Sequence, residues 1–213
     1  VPGWLQARQG EPVRIVLSSH CTHTVLFDAK EAGLSAADAA GREALARARL
    51  MQIWGSEAEA WPLRSWAGAT THGACAWAQP QAQAWLEAAR ATGTRITSIL
   101  PWWSVVLDEL SVLEPRWGQD RRAALLLCEG DRALWLVVED GEVISLRPRR
   151  LAEATFYEAA SMSQSSRDAD NIEAAATRIV GYGLRPSKGM AFDGEQVCGA
   201  LDGVTPEAAW LQG

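Results

Sequence analysis

Ala82, Trp85, Leu86 and Ala89 fall at i, i+3, i+4 and i+7, a spacing that predicts one apolar helical face. Pro80 near the start and Gly93 just past the end punctuate that helix. The period then changes: Arg95–Leu100 reads as a buried strand stopped by Pro101, and Ser104–Leu113 returns to helical spacing. Upstream, Trp4–Arg8, Val13–Leu17 and Thr24–Phe27 read as short strands, separated by Gly10 and by a Ser18–His23 turn. Ser35 opens a helix with Asp38 three residues on as its capping partner. Leu45, Ala48 and Met51 mark its apolar face, with Arg42, Arg47 and Arg49 at polar positions, and Gly55 ends it after Trp54. Arg64–Ala69 and Ala74–Ala78 read as two more strands around Thr70–Gly73.

The second half opens with a polar link, Glu114–Arg122, where the pattern places a division into residues 1–114 and 115–213. Three apolar runs follow, Ala123–Cys128, Ala133–Glu139 and Glu142–Leu146, joined by tight turns at Gly130-Asp131 and Asp140-Gly141. A helix is predicted near Arg150–Ala160. The Ser-rich Ser161–Asp170 stretch reads as a mobile loop. Ile172, Ala175, Ala176, Ile179 and Val180 suggest a helix over Ile172–Tyr182, ended by Gly183. A short strand at Met190–Phe192 and a short helix at Glu195–Leu201 complete the reading.

Composition changes this picture little. The 213 residues are 48% hydrophobic and 22% charged, an ordinary globular balance with enough chain for a large core. A net charge of −6 argues against a general binder of nucleic acid or anionic membranes. No apolar run is long enough to span a bilayer, and no leader-like segment is visible, although Val1 is not a methionine. The four cysteines, at 21, 75, 128 and 198, are widely separated, as expected of a reduced, cytoplasmic protein rather than a disulfide framework. Eleven Trp read mostly as core packing.

Candidate chemistry is sparse. His20 and His23 flank Cys21, and with His72 and Cys75 they could supply four zinc ligands if two turns met in space; the alternative is that all are polar turn residues. No nucleophile elbow and no glycine-rich phosphate loop is present. The Glu129-Gly130-Asp131 turn, together with Asp140, is the candidate nucleotide and magnesium site. Trp102 and Trp103 are adjacent on a helix, so they cannot share a face; they read as one core and one seam residue, or as partner-binding anchors. Arg147, Arg149 and Arg150 form a basic edge, either solvated or facing an acidic partner segment.

A three-strand meander followed by a helix is how the ribonuclease-H-like half of an actin-type fold begins. The order of elements resembles the cytoplasmic actin-like proteins of type IV pilus assembly and type II secretion (the PilM and GspL-type family). The resemblance is carried by Ala84-Trp85-Leu86-Glu87, Gly93-Thr94-Arg95-Ile96, Leu100-Pro101, Ala124–Leu127, Gly130–Val138, Gly141 and Leu146-Arg147. Val13–Leu17, Thr24–Phe27 and Arg178–Leu184 add to it. It implies an α/β, actin-like fold of two lobes, each of mixed sheet and helices. The implied role is a non-catalytic cytoplasmic scaffold, peripheral to the inner membrane. Such a scaffold would link the tail of an inner-membrane platform protein to an assembly ATPase, and could form a homodimer. Pilus-type members bind nucleotide; secretion-type members continue into a transmembrane helix and have a degenerate site. Cys128 stands where a metal-organising Asp would be expected, which favours the degenerate form with no cofactor; the alternative is an ATPase or kinase relative using ATP and magnesium at Glu129, Asp131 and Asp140.

Overall fold

The computed structural model describes residues 10–33, 35, 38–77, 79–119, 121–182, 184 and 197–198. The chain divides between Glu109 and Leu110 into two compact units.

In the first unit, β1 (Pro12–Leu17) runs parallel to β5 (Arg95–Pro101), with Val13 opposite Ile96 and Leu17 opposite Pro101. β2 (Thr22–Asp28), β3 (Leu63–Ala67) and β4 (Thr71–Trp77) form an antiparallel sheet in the order β2-β4-β3. A one-turn helix α1 (Ala29–Ala32) follows β2, and α2 (Ala39–Trp54) packs on one sheet face. Ala46 and Leu50 of α2 meet Val25, Phe27, Leu63 and Ala74 there, all buried. Direct cross-strand partners share a face, so His23, Val25 and Phe27 lie on this side with His72, Ala74 and Ala76. The arginines of α2 tie it down: Arg49 donates to the Leu26 carbonyl at 3.1 Å and covers the Phe27 ring, and Arg47 donates to the Trp61 carbonyl at 3.2 Å. α3 (Gln79–Thr92) links β4 to β5, and α4 (Trp102–Leu113) contains the division between the units.

The second unit is built on one mixed sheet. β6 (Ala123–Glu129), β7 (Arg132–Glu139) and β8 (Glu142–Arg150) form the expected meander. β6 and β7 are buried on both faces, as central strands are, whereas β8 is half exposed along its edge. Asp140 and Gly141 both take positive φ, 52° and 76°, as a two-residue type I′ hairpin turn requires. After α5 (Phe156–Asp170), the chain returns as β9 (Thr177–Tyr182), parallel to β6, with β10 (Val197–Cys198) parallel to β9. The order is β10-β9-β6-β7-β8, the strand order of a ribonuclease-H-like sheet. Leu126, Cys128, Trp135, Val137, Ala159 and Ile179 belong to its core against α5.

Several local expectations are corrected. Asp38, not Ser35, caps α2, accepting from the Gly41 amide at 2.8 Å. Arg150 ends β8, and the following helix starts only after Thr155. Ser161–Asp170 is not a loop but the C-terminal two thirds of α5. Ala159 and Ser163 are buried, and Met162, Ser166 and Asp170 half-buried. The helical period was present but written partly in serine, because the helix packs closely and needs small side chains there. Ile172–Tyr182 is not a helix: Ala174–Ala176 make one 3-10 turn, and Thr177–Tyr182 is a strand held by β6. Val197 and Cys198 are strand rather than part of a short helix. The strands expected at Trp4–Arg8 and Met190–Phe192 lie outside the described residues.

Candidate functional site

Glu129, Gly130 and Asp131 sit together at the β6–β7 turn, where Gly130 takes φ 62°. Asp131 is engaged in an exposed ion pair. Its carboxylate accepts from Arg150 Nε at 3.0 Å and Nη2 at 2.9 Å, and its backbone carbonyl accepts from the Leu151 amide at 2.7 Å. Asp140 lies at the other end of β7, nine residues from Asp131. At the rise of an extended strand that is about 30 Å, so Glu129, Asp131 and Asp140 cannot share one magnesium ion. The Asp140-Gly141 turn is occupied structurally instead: the Gly141 amide donates to the Gly118 carbonyl at 2.7 Å. Cys128 is fully buried, and burial pushes its thiol up to about 12. It is an inert core residue, not a metal-organising acid. Fitted against magnesium-ATP, the charged turns offer no assembled carboxylate set.

The basic edge is likewise partly spent inside the unit. Arg147 lies directly opposite Trp135 across β7 and β8. Both side chains converge on Asp170 at the end of α5: Arg147 forms an ion pair with it, and the Trp135 indole donates to Oδ2 at 2.7 Å. Arg150 holds Asp131. Arg149 is exposed on the β8 edge. The two tryptophans divide as adjacent helical residues must. Trp103 is buried with its ring 5.6 Å from that of Trp66, and its indole nitrogen has no hydrogen-bond partner among the described residues. Trp102 is half-buried.

The four zinc-ligand candidates do not converge. His72 and Cys75, three apart on β4, point to opposite faces of the sheet. His72 is buried edge-on to the Phe27 ring, and His23 stacks on Trp61 at 4.6 Å beside Trp54 at 4.7 Å. Burial lowers the His23 pKa. Cys75 is buried on the far face, its thiol pushed up to about 11 by burial against the opposing pull of Thr24 and Thr22. His20 follows β1 in an exposed turn. Among the described residues no group of three or more His, Cys, Asp or Glu is placed to hold a metal.

One feature escaped the sequence reading. Within the stretch read as a plain link, residues 114–118 and Arg121 form one wall of a groove of about 590 Å³; the turn at Ala175, Ala176 and Arg178 forms the other. Arg178 clamps the two walls. Its Nε donates to Glu114 at 2.8 Å, its Nη2 pairs with the same carboxylate, and its Nη1 donates to the Ala175 and Thr177 carbonyls at 2.9 Å. The Trp117 indole adds a bond to the Ala176 carbonyl at 3.1 Å. The signal in the sequence was Trp117, a large aromatic with no place in a solvated link.

No family model matches the chain, and no curated protein matches it in sequence. Solved structures do. A chain of a PilM–PilN type IV pilus biogenesis complex superposes with a TM-score of 0.57 at 14% identity, covering 85% of this chain and 68% of that one. The fold is actin-like. A Bacteroides thetaiotaomicron protein described as having an actin-like ATPase fold and unknown function aligns with a TM-score of 0.50 at 9% identity, over 88% of this chain and 67% of its own. The cytoplasmic domain of EpsL, an inner-membrane component of the Vibrio cholerae type II secretion system, gives 0.51 at 13% identity, over 95% of this chain and 74% of that one. The fold is thus shared with a chain of a pilus biogenesis complex and with the cytoplasmic domain of a type II secretion component. Among the described residues, no helix of this chain is long and apolar enough to cross a membrane.

Proposed function

We propose that this chain is a non-catalytic docking component of a bacterial pilus or type II secretion assembly platform, working at the cytoplasmic face of the inner membrane. The observation that carries this reading is the breadth of the structural likeness, 85% of the chain against the PilM–PilN complex and 95% against the EpsL cytoplasmic domain. The proposed partners are the cytoplasmic tail of an inner-membrane platform protein and an assembly ATPase, with a homodimer as the proposed self-association. The carboxylate geometry supports docking over catalysis, since Asp131 and Asp140 lie at opposite ends of β7.

The test is a binding titration of the purified protein against synthetic cytoplasmic tails of single-span inner-membrane proteins encoded by the same organism. Saturable binding of a pilus or secretion component at about micromolar affinity is expected. A folded protein that binds none of these tails contradicts the reading.

A second reading draws on the actin-like ATPase fold of the Bacteroides protein. It would place a nucleotide against Glu129, Gly130 and Asp131 alone, and it requires Asp131 to release Arg150.

A further inference from the structure

We infer that the groove between residues 114–118 with Arg121 and the 174–178 turn is a docking site for a short acidic peptide with apolar side chains, carried by a partner protein. The inference rests on the docking reading and names the surface and the chemistry of the partner. Three observations support it.

The walls are fixed before any partner arrives. The Arg178 guanidinium bonds both Glu114 and two carbonyls of the opposite wall, and Trp117 bonds a third carbonyl there. A groove already ordered loses little conformational freedom on binding.

The floor is apolar and the rim is cationic. Gly118, Ala123, Ala175 and Ala176 line it beside the Trp117 ring, with three guanidiniums, Arg116, Arg121 and Arg178, against one carboxylate, Glu114. On a chain of net charge −6 this is a local reversal of sign. Arg178 is committed to Glu114, but Arg116 is exposed, and Arg121 meets Glu173 only through a pair with 55% and 71% side-chain exposure. Such an exposed pair is weak and exchanges readily for a partner carboxylate. Trp and Arg are also the residue types that anchor protein interfaces.

Exposed apolar side chains immediately precede the groove residues in the chain. Val112 and Leu113, the last two residues of α4, are 78% and 67% exposed immediately before Glu114. A partner that covers them needs apolar side chains as well as a negative charge.

The test is selection of a random dodecapeptide phage library on the full chain, with clones then titrated against variants. Arg116→Glu and Arg121→Glu reverse exposed charges, Ala175→Trp fills the groove from an exposed position, and Arg90→Glu, at an exposed position of α3, is the control. The expected result is enrichment of clones that combine Asp or Glu with Leu, Ile or Phe. These should bind native protein and the Arg90→Glu variant equally, and each groove variant at least about tenfold more weakly. Clones that bind the groove variants as well as native protein overturn this site and leave the docking reading to another surface. Failure to enrich any clone overturns the site, with the docking reading judged separately by the tail titration. Release of bound clones by ATP assigns the groove to a nucleotide and overturns the peptide inference.

Discussion

At the scale of single residues, the aromatic packing of the first unit sets two expectations. His23 stacks on Trp61 and Trp54, and desolvation lowers its pKa below the ordinary 6.5. Above that value the imidazole is neutral in both folded and unfolded chains, so the shift has no effect. Below it the unfolded chain takes up the proton first, so stability falls as pH drops. Thermal melting between about pH 7.5 and about pH 5.5 should show this loss in native protein and a shallower slope in His23→Phe. Equal slopes would mean that the stacked imidazole is not a titrating contributor. Gly73 is the second case. A β-carbon there would lie 2.2 Å from the Trp66 ring, which packs in turn on Trp103. Gly73→Ala should therefore destabilise by roughly 1–3 kcal/mol in chemical denaturation. An unchanged midpoint would show that Trp66 moves aside freely. Neither constraint was readable in sequence, because Trp66 and Gly73 meet only through the register of β3 on β4. The split of Trp102 from Trp103 was readable, since adjacent helical residues cannot share a face.

At the scale of elements, α5 is held in place by its last residue as much as by its apolar face. Asp170 accepts from the Trp135 indole and pairs with Arg147, and Trp135 is fully buried. Asp170→Ala would strand a buried indole donor and a half-buried guanidinium, at about 2–3 kcal/mol. Asp170→Asn keeps an acceptor and should recover part of that loss; identical urea midpoints for all three proteins would contradict the contact. Legibility was uneven at this scale. The β6–β8 meander was plain because central strands are continuously apolar and their turns carry Gly and Asp. α5 was cut short because Ser163 and its neighbours look like loop residues. Yet its ends were written in the sequence: Thr155 accepts from the Glu158 amide, and Asn171 closes the helix in a left-handed conformation at φ 54°. β9 was read as helix because Ala174–Ala176 extend a helical spacing across a 3-10 turn. What makes it a strand is parallel pairing with β6, a contact between segments about fifty residues apart that local periodicity cannot carry.

At the scale of the whole molecule, the sequence led to an actin-like fold through its order of elements, and the strand order of the second unit and the structural relatives agree with it. The site was less legible. Acidic turns suggested a cation site, although the meander already legible in the sequence puts its two successive turns at opposite ends of one strand. The groove at Trp117 was invisible because its two walls come from segments that only the fold brings together. The central claim is that this actin-like chain docks partners rather than working through magnesium-ATP. The most direct test is calorimetric titration of ATP with magnesium into the purified protein. The account predicts no saturable heat up to millimolar ATP. Magnesium-dependent binding at micromolar ATP, weakened by Asp131→Asn, would contradict it.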